Sequence, residues 1–204
     1  MDGFERRKEK SKAKIRRAAG ELFNKYGVQR VSVSEIAAAA NVSLVTIYNL
    51  YGSKDGLVAE WIADFGNKFI ERLREVSATD KPYFERVEDT IQAMVEMTES
   101  NPALADAALE NFEGMAELAD SFTAQIRDLF MDFVHTGQKQ GYCNPDLSDE
   151  AVAAFIEIVV RGMNANAELH MRTHHDAKLF HDLTLIMLFG FGVREGANKG
   201  PAHR

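Results

Sequence analysis

The sequence contains very little cysteine or proline. Its 204 residues include one cysteine, Cys143, and four prolines. A single cysteine excludes an internal disulfide framework, and the first residues lack the basic, apolar and small-residue order of a secretory signal. We therefore expect a protein that works in the cytoplasm.

Long hydrophobic runs are also missing. The most apolar window, residues 183–193, is far shorter than the ~20 residues that a helix needs to cross a bilayer. Alternating β-branched runs are missing too, and apolar residues recur at spacings of three and four almost throughout. This pattern predicts an all-α fold with no membrane partner.

Positive charge is scarce overall but concentrated near the N-terminus. The net charge is -7, yet residues 1–60 hold 11 Lys and Arg against 7 Asp and Glu. Eight of the twelve residues from Arg6 to Arg17 are basic. A solvated helix face or a disordered arm would show the same run. A basic head on an acidic body suggests that only the head meets a polyanion.

Helix one is predicted from an apolar stripe between Ile15 and Tyr26. Gly27 follows it and suits the left-handed conformation at a helix end. Gly20 lies inside this helix, where glycine costs roughly 1 kcal/mol relative to alanine. We therefore expect a close helix contact at Gly20 that has no room for a side chain.

Two short helices are predicted next. Residues 32–35, Ser-Val-Ser-Glu, have the form of a capping box that starts helix two. Asn41 suits a tight turn, and Ser43 can cap a third helix that runs through Tyr51. Two short helices behind a longer one have the organisation of a helix-turn-helix DNA reader. A helical hairpin whose aromatic residues only fill a core would show the same spacing.

The third helix is predicted to offer one face to DNA. Ile47 and Tyr51 point inward together, since each residue advances by 100°. Hydroxyl groups can donate to phosphate oxygens, asparagine can pair with adenine, and aliphatic side chains can contact a thymine methyl. Lys54, in the first turn of a fourth helix, is placed to meet a phosphate. The groups predicted to read DNA are Leu44, Val45, Thr46, Tyr48 and Asn49.

The run AAGELFNKYGVQRVSVSEIAAAANVSLVTIYNLYGSKDGLV resembles the TetR family of bacterial transcriptional regulators, over about residues 10–65. An aliphatic-Tyr pair, an aromatic three residues beyond that tyrosine, and Ser-Lys-acidic-x-Leu follow in the family's order. Leu50 departs from the histidine or aromatic that the family often has there, and no glycine follows Ser43. The resemblance implies DNA contacts at Ser32, Ser43, Leu44, Val45, Thr46, Tyr48, Asn49 and Lys54.

The rest of the chain is predicted to form a helical body. Breaks rich in Gly, Pro, Asn and Thr separate the predicted helices, which span 83–99, 103–112, 115–140, 149–172 and 176–193. The predicted domains are a DNA-binding domain at 1–55, an effector-binding and dimerisation domain at 56–198 with helix four as the junction, and a tail at 199–204.

The last two predicted helices are the most apolar. Helices of this kind must be covered by their own chain or by a second copy. The family resemblance favours the second copy, and hence a homodimer. The predicted dimer residues are Phe155, Val159, Met163, Leu183, Ile186, Phe189 and Gly190.

The middle helices are rich in methionine and phenylalanine. Core filling is the default explanation, and an adaptable apolar pocket is the alternative. The resemblance implies that such a pocket holds a small-molecule effector. The predicted pocket residues are Met94, Met97, Phe112, Met115, Phe130 and Phe133.

Four histidines, His170, His174, His175 and His181, form the one cluster that suggests a metal. Neither an HExxH pattern nor a cysteine accompanies them, so surface or junction histidines are the better interpretation. We predict no metal and no cofactor.

The predicted function is a repressor that binds a palindromic operator as a homodimer and is released by an effector. Two-fold pairing would set two recognition helices about one DNA turn, ~34 Å, apart. Two alternatives remain open: an all-helical enzyme or carrier with an incidental helix-turn-helix, and a DNA-binding activator that needs no ligand. No motif beyond about residue 78 resembles a catalytic site.

Overall fold

The computed structural model describes residues 3–108, 115–166, 169, 172, 173 and 176–189, and every regular element within them is an α-helix. This confirms the predicted all-α class. The helices are α1 (Gly3–Tyr26), α2 (Val33–Ala40), α3 (Leu44–Tyr51), α4 (Lys54–Ser77), α5 (Tyr83–Glu99), α6 (Ala103–Ala108), α7 (Met115–Gln140), α8 (Asp149–Ala165) and α9 (Ala177–Phe189).

One predicted helix end was wrong. The helix predicted to run to residue 172 ends at Ala165, because Asn166 adopts an extended conformation. The Asn166 side-chain oxygen accepts a hydrogen bond from the Leu169 backbone N–H at 2.9 Å. Asparagine often offers the backbone a local bond of this kind in place of the helical ladder.

The described residues form two compact units. The first takes its residues from Met1–Lys68 and Ser100–Ala119, and the second from Phe69–Glu99 and Asp120–Arg204. The predicted division into functional domains at 1–55 and 56–198 stays a prediction.

The core of the first unit is built where α1 packs against α2 and α6, and α2 packs against α3. Phe23 is fully buried, and its ring meets Trp61 edge to face with the centroids 5.1 Å apart. Gly20 lies against the same indole, and a Cβ atom there would be 2.8 Å from Trp61 Nε1. This confirms the close helix contact that the interior glycine predicts.

Helix α6 belongs to the first unit although its neighbours along the chain, α5 and most of α7, belong to the second. Asn24 of α1 holds it in place. The Asn24 side-chain oxygen accepts from the Ala103 backbone N–H at 3.2 Å, and its amide donates to Asn101 Oδ1 at 3.3 Å. Leu104 is buried in the first unit's core.

In the second unit, Tyr83 joins the start of α5 to the end of α7. Its hydroxyl donates to the Phe133 carbonyl at 3.2 Å, and its ring stacks on Tyr142 at 5.1 Å. A Cβ atom at Gly137 would lie 2.5 Å from Cys143 Sγ, so this contact requires glycine. Burial raises the pKa of the Cys143 thiol, which therefore stays protonated at neutral pH.

No single helix among the described residues has both the length and the hydropathy needed to cross a membrane. Helices α2 and α3 meet that requirement only as a pair, and they are bent by 108° from each other.

The Gly20 contact predicts that Gly20→Ala lowers the free energy of unfolding by about 1 kcal/mol. Overpacking costs about 1–3 kcal/mol, which exceeds the ~1 kcal/mol that alanine gains in a helix. Urea denaturation followed by circular dichroism measures the change. In a Trp61→Phe background the clashing Nε1 atom is gone, so the added methyl should cost less there. Equal effects in both backgrounds would show that the indole does not set the requirement for glycine.

Candidate nucleic-acid interface

Helix α3 begins at a side-chain cap. Ser43 has an extended conformation, and its Oγ accepts from the Thr46 backbone N–H at 3.0 Å. The hydroxyls of Ser43 and Thr46 are also hydrogen-bonded to each other at 2.7 Å. The predicted start of α3 is confirmed, and its first turn is held in place without help from another element.

Helix α2 begins with the predicted capping box. Ser32 Oγ accepts from the Glu35 backbone N–H at 3.2 Å, while Glu35 Oε2 accepts from the Ser32 backbone N–H at 2.8 Å and from its hydroxyl at 2.7 Å. These bonds to Ser32, its side chain first, lower the pKa of Glu35. Asn41 then takes the left-handed conformation that turns the chain into α3.

The inner face of α3 is anchored to α1. Ile47 is fully buried, and the hydroxyl of the buried Tyr51 donates to the Lys12 carbonyl at 3.1 Å. The Lys12 ammonium lies 5.3 Å from the centre of the Tyr51 ring and pairs with Glu60 at 2.5 Å. Burial, and then the charge of Glu60, raises the pKa of Tyr51. The phenol therefore remains a neutral donor to this carbonyl.

The outer face of α3 is exposed. Val45 is 66% exposed, Tyr48 48% and Leu44 41%, while Asn49 is exposed and Thr46 half-buried. These values confirm the predicted outward positions of Val45, Tyr48 and Asn49, whereas Thr46 is only partly exposed. The DNA contacts assigned to the outer residues stay a prediction.

Lys54 stands at the first residue of α4 and is half-buried. Its ammonium donates to the Gln29 carbonyl at 3.3 Å, in the turn between α1 and α2. An ammonium carries three donors, so this bond leaves donors for a phosphate. Sequence spacing does not reveal this contact, because Gln29 is 25 residues away.

Helix α1 begins at Gly3, so the basic run from Arg6 to Arg17 is a helix and not a disordered arm. Lys12 and Arg16 of this run are half-buried and pair with Glu60 and Asp64 of α4. The remaining cations project into solvent from the outer surface of α1: Arg6, Arg7, Lys8, Lys10, Lys14 and Arg17.

The predicted pocket residues are only partly described. Met94, Phe130 and Phe133 are buried in the second unit, and Met97 is half-buried. Phe112 and the Met115 side chain lie outside the described residues. A small groove with a cavity volume of about 10 Å³ is lined by Val95, Thr98, Glu99, Thr173, Ala177 and Phe180. None of the predicted residues appears in this lining, and the groove is smaller than the ~300 Å³ of an ordinary ligand pocket.

The predicted dimer residues on α8 and α9 differ in exposure. Ile186 is 62% exposed and Phe155 is 39% exposed. The half-buried members are Val159, Met163 and Leu183. The Phe189 side chain and Gly190 lie outside the described residues. Sequence reasoning missed Ile158, which is 70% exposed, although its position three residues after Phe155 indicated the same side of the helix.

Of the four predicted junction histidines, only His181 has a described side chain. Its Nε2 lies 3.3 Å from Glu88 Oε1 and its Nδ1 lies 3.5 Å from Asp182 Oδ1. His170, His174 and His175 lie outside the described residues. Within the part of the chain that the structure describes, no three His, Cys, Asp or Glu side chains form a metal-binding group. The absence of a metal stays a prediction.

Comparison with known proteins gives the class of this unit. A sequence model described as bacterial regulatory proteins, tetR family, matches residues 15–61. The repressor KstR2 of Mycobacterium tuberculosis (strain ATCC 25618 / H37Rv) is 24% identical over 143 residues, covering 68% of this chain and 72% of KstR2. KstR2 of Rhodococcus jostii is 25% identical over 147 residues, covering 68% and 70%.

The whole fold also has solved counterparts. The regulator FadR of Bacillus subtilis, solved in complex with stearoyl-CoA, has a TM-score of 0.62 and 18% identity, covering 88% of this chain and 98% of FadR. At this identity the likeness shows the fold.

The geometry and these comparisons define a helix-turn-helix transcriptional regulator. Residues 15–61 match the tetR family of bacterial regulatory proteins, as the motifs predict, and the chain is similar to helix-turn-helix transcriptional repressors. Regulators of this family bind DNA and small-molecule effectors. The relatives are regulators and not enzymes, which supports the regulator over the enzyme or carrier.

The cap of α3 predicts different outcomes for two substitutions at Ser43. Ser43→Ala removes the bond to the Thr46 N–H and should cost about 1 kcal/mol of unfolding free energy. Ser43→Asp caps as well as serine and should keep the stability. It places a carboxylate at the end of the reading helix, so DNA affinity should fall by more than roughly tenfold. Denaturation and fluorescence anisotropy measure the two effects.

Ser148 supplies a matched control for both substitutions, since its Oγ caps α8 by accepting from the Ala151 N–H at 3.3 Å. Ser148→Asp should leave DNA binding unchanged. If Ser43→Asp bound DNA as tightly as Ser148→Asp, Ser43 would not lie at the DNA surface.

Proposed function

We propose that this chain is a one-component repressor. It binds a palindromic operator as a homodimer and leaves the operator when a small-molecule effector binds. The observation that carries the proposal is the division of α3 into an anchored inner face, with Ile47 and Tyr51 buried, and an exposed outer face. A helix held in this way presents its outer side chains at fixed positions to a groove.

Each outer group has a role that suits its chemistry. Hydroxyls of Thr46 and Tyr48 donate to phosphate oxygens, and Asn49 pairs with an adenine edge. Lys54 holds a further phosphate at the start of α4, where backbone N–H groups and the helix dipole also favour an anion. We propose that Ser32 and Ser43, at the starts of α2 and α3, contact the DNA backbone through their hydroxyl groups.

The exposed cations of α1 supply electrostatic attraction that α3 lacks. Helix α3 has no charged residue, whereas Arg6, Arg7, Lys8, Lys10 and Lys14 are exposed on α1. Cations near phosphates release condensed counterions, which raises affinity for any duplex. We infer that α1 contributes affinity and α3 contributes sequence recognition.

A second copy is proposed to cover the apolar surfaces of α8 and α9. Ile158 and Ile186 are 70% and 62% exposed. A second copy packed on these two consecutive helices would cover both exposed aliphatic side chains. An isologous dimer would present two reading helices about one DNA turn, ~34 Å, apart, which matches a palindrome.

The proposed effector is an acyl-CoA or a similar thioester with an apolar chain. The FadR relative was solved with stearoyl-CoA. Methionine and phenylalanine of the second unit, among them Met94, Phe130 and Phe133, suit an apolar chain because methionine adapts its shape. Mass spectrometry of ligand carried through purification would identify the effector directly.

The proposed mechanism is linkage between the two binding events. The effector binds more tightly to a conformation in which the spacing of the two reading helices does not match the operator. Operator affinity then falls by the ratio of the effector's affinities for the two conformations, and by no more. An effector with equal affinity for both would not release the protein.

Binding to DNA from upstream of the protein's own gene tests the proposal. We expect a steep fall in affinity as salt rises, which fluorescence anisotropy can follow. Lys54→Ala should weaken binding to all sequences and reduce the salt slope by about one unit per protomer.

Lys68→Ala is the matched control, because Lys68 lies on the same helix and pairs with Asp64 at 2.7 Å. It should bind DNA like the wild type. Equal salt slopes for Lys54→Ala and the wild type would remove Lys54 from the interface, and no binding at any salt concentration would refute the proposed function.

The proposed dimer predicts that Ile186→Asp yields monomers in sedimentation velocity, because a buried carboxylate without a partner is costly. Phe84→Asp is the control: Phe84 is 51% exposed on α5, outside the proposed interface. That variant should remain dimeric. A dimeric Ile186→Asp protein would place the interface elsewhere.

A further inference from the structure

The two helices of the DNA-reading motif are almost free of charge. Helices α2 and α3, with the sequences VSEIAAAA and LVTIYNLY, carry a single charged side chain, Glu35. That carboxylate is held in the capping box by Ser32. The commonest reader of guanine, an arginine or lysine donating to O6 and N7, is therefore missing from both helices.

In place of a cation, the first two residues of α3 are aliphatic. Leu44 is 41% exposed and Val45 is 66% exposed, directly after the Ser43 cap. Residues at the start of a recognition helix are the ones that reach base edges. Helix stability does not explain Val45, because valine is a poorer helix former than alanine. Neither residue belongs to the buried core of the first unit.

Only one group in the major groove matches an exposed aliphatic side chain. Each base pair presents hydrogen-bonding atoms there, and the C5-methyl of thymine is the only apolar group among the four bases. Asn49, one turn after Val45 on the same face, suits adenine, the partner of thymine. The apolar and the amide groups of α3 are thus both matched to A·T pairs.

We propose that Leu44 and Val45 read thymine methyl groups, so that the operator is recognised through methyl contacts rather than guanine contacts. This inference rests on the proposed function, since it requires that α3 enter the major groove. It specifies the class of operator: each half-site carries thymines under the first turn of α3. Burying one methyl against an aliphatic side chain changes affinity about fourfold.

The test begins with the full-length protein and a library of random duplexes, from which bound sequences are selected and sequenced. Each thymine of the consensus is then replaced singly by deoxyuridine, which removes the C5-methyl and keeps every hydrogen-bonding atom. At one or two positions per half-site, we expect about a fourfold loss of affinity in fluorescence anisotropy. Replacing the symmetric pair together should give roughly a fifteenfold loss. Deoxyuridine at thymines outside the contacted positions is the internal control.

Variants of the protein assign each methyl to its reader. Val45→Ala should weaken binding to the thymine duplex and remove the loss caused by deoxyuridine at one position. Leu44→Ala should do the same at a neighbouring position. Both side chains are exposed and alanine is a good helix former, so the melting temperatures of these variants should not fall below that of the wild type, which would exclude a folding defect.

A second substitution separates the methyl from the rest of the base. A C·G pair at the contacted position should bind weakly, and methylation of that cytosine at C5 should recover part of the lost affinity. Recovery requires only that a methyl group return to the same place in the groove.

Each possible result shows whether methyl reading fails alone or the proposed function fails with it. Unchanged affinity for every deoxyuridine duplex would overturn methyl reading while leaving DNA binding intact. Full sensitivity to deoxyuridine in both alanine variants would do the same, as would selection of half-sites without thymine. Failure to enrich any sequence would overturn the proposed function, and the methyl inference with it.

Discussion

The reading surface depends on how the inner face of α3 is held. Ile47 has no exposed surface, and the Tyr51 hydroxyl is fixed to the Lys12 carbonyl of α1. A single helical turn separates these two residues, so anchoring both sets the rotation of the whole helix. The outer side chains depend on this anchor for their orientation, because α3 contains only eight residues. An isolated helix of that length would not be stable in water.

The same anchor links base reading to the basic helix. Lys12 uses its carbonyl for Tyr51 and its ammonium for Glu60, so it contributes structure rather than free charge. The exposed cations of α1 lie on either side of it along the sequence. In the proposed function, the uncharged α3 selects the sequence and the basic α1 supplies affinity, two tasks that one arginine often performs together. Affinity for any duplex and choice of sequence can then change independently.

Local chemistry explains what the sequence predicted well. The capping box at Ser32, the cap at Ser43 and the missing side chain at Gly20 each follow from a few neighbouring residues or from one helical position. The features that were not predicted depend on contacts distant in sequence: Lys54 with Gln29, and Asn24 with Ala103. Propensity and periodicity contain no information about such pairs. The early end of α8 at Asn166 was missed because asparagine is compatible with both a helix and a local turn.

Helix α6 has a consequence for how the polypeptide can be divided. The backbone passes from one compact unit to the other at residues 68–69, returns at 99–100 and leaves again at 119–120. Buried alanines and a leucine from that excursion complete the centre of the unit that holds the reading helix. A fragment ending at residue 68 would therefore lack part of its own interior and expose the surface beside Asn24. The first unit is built from two separate segments of the chain, so truncation at one position cannot isolate it.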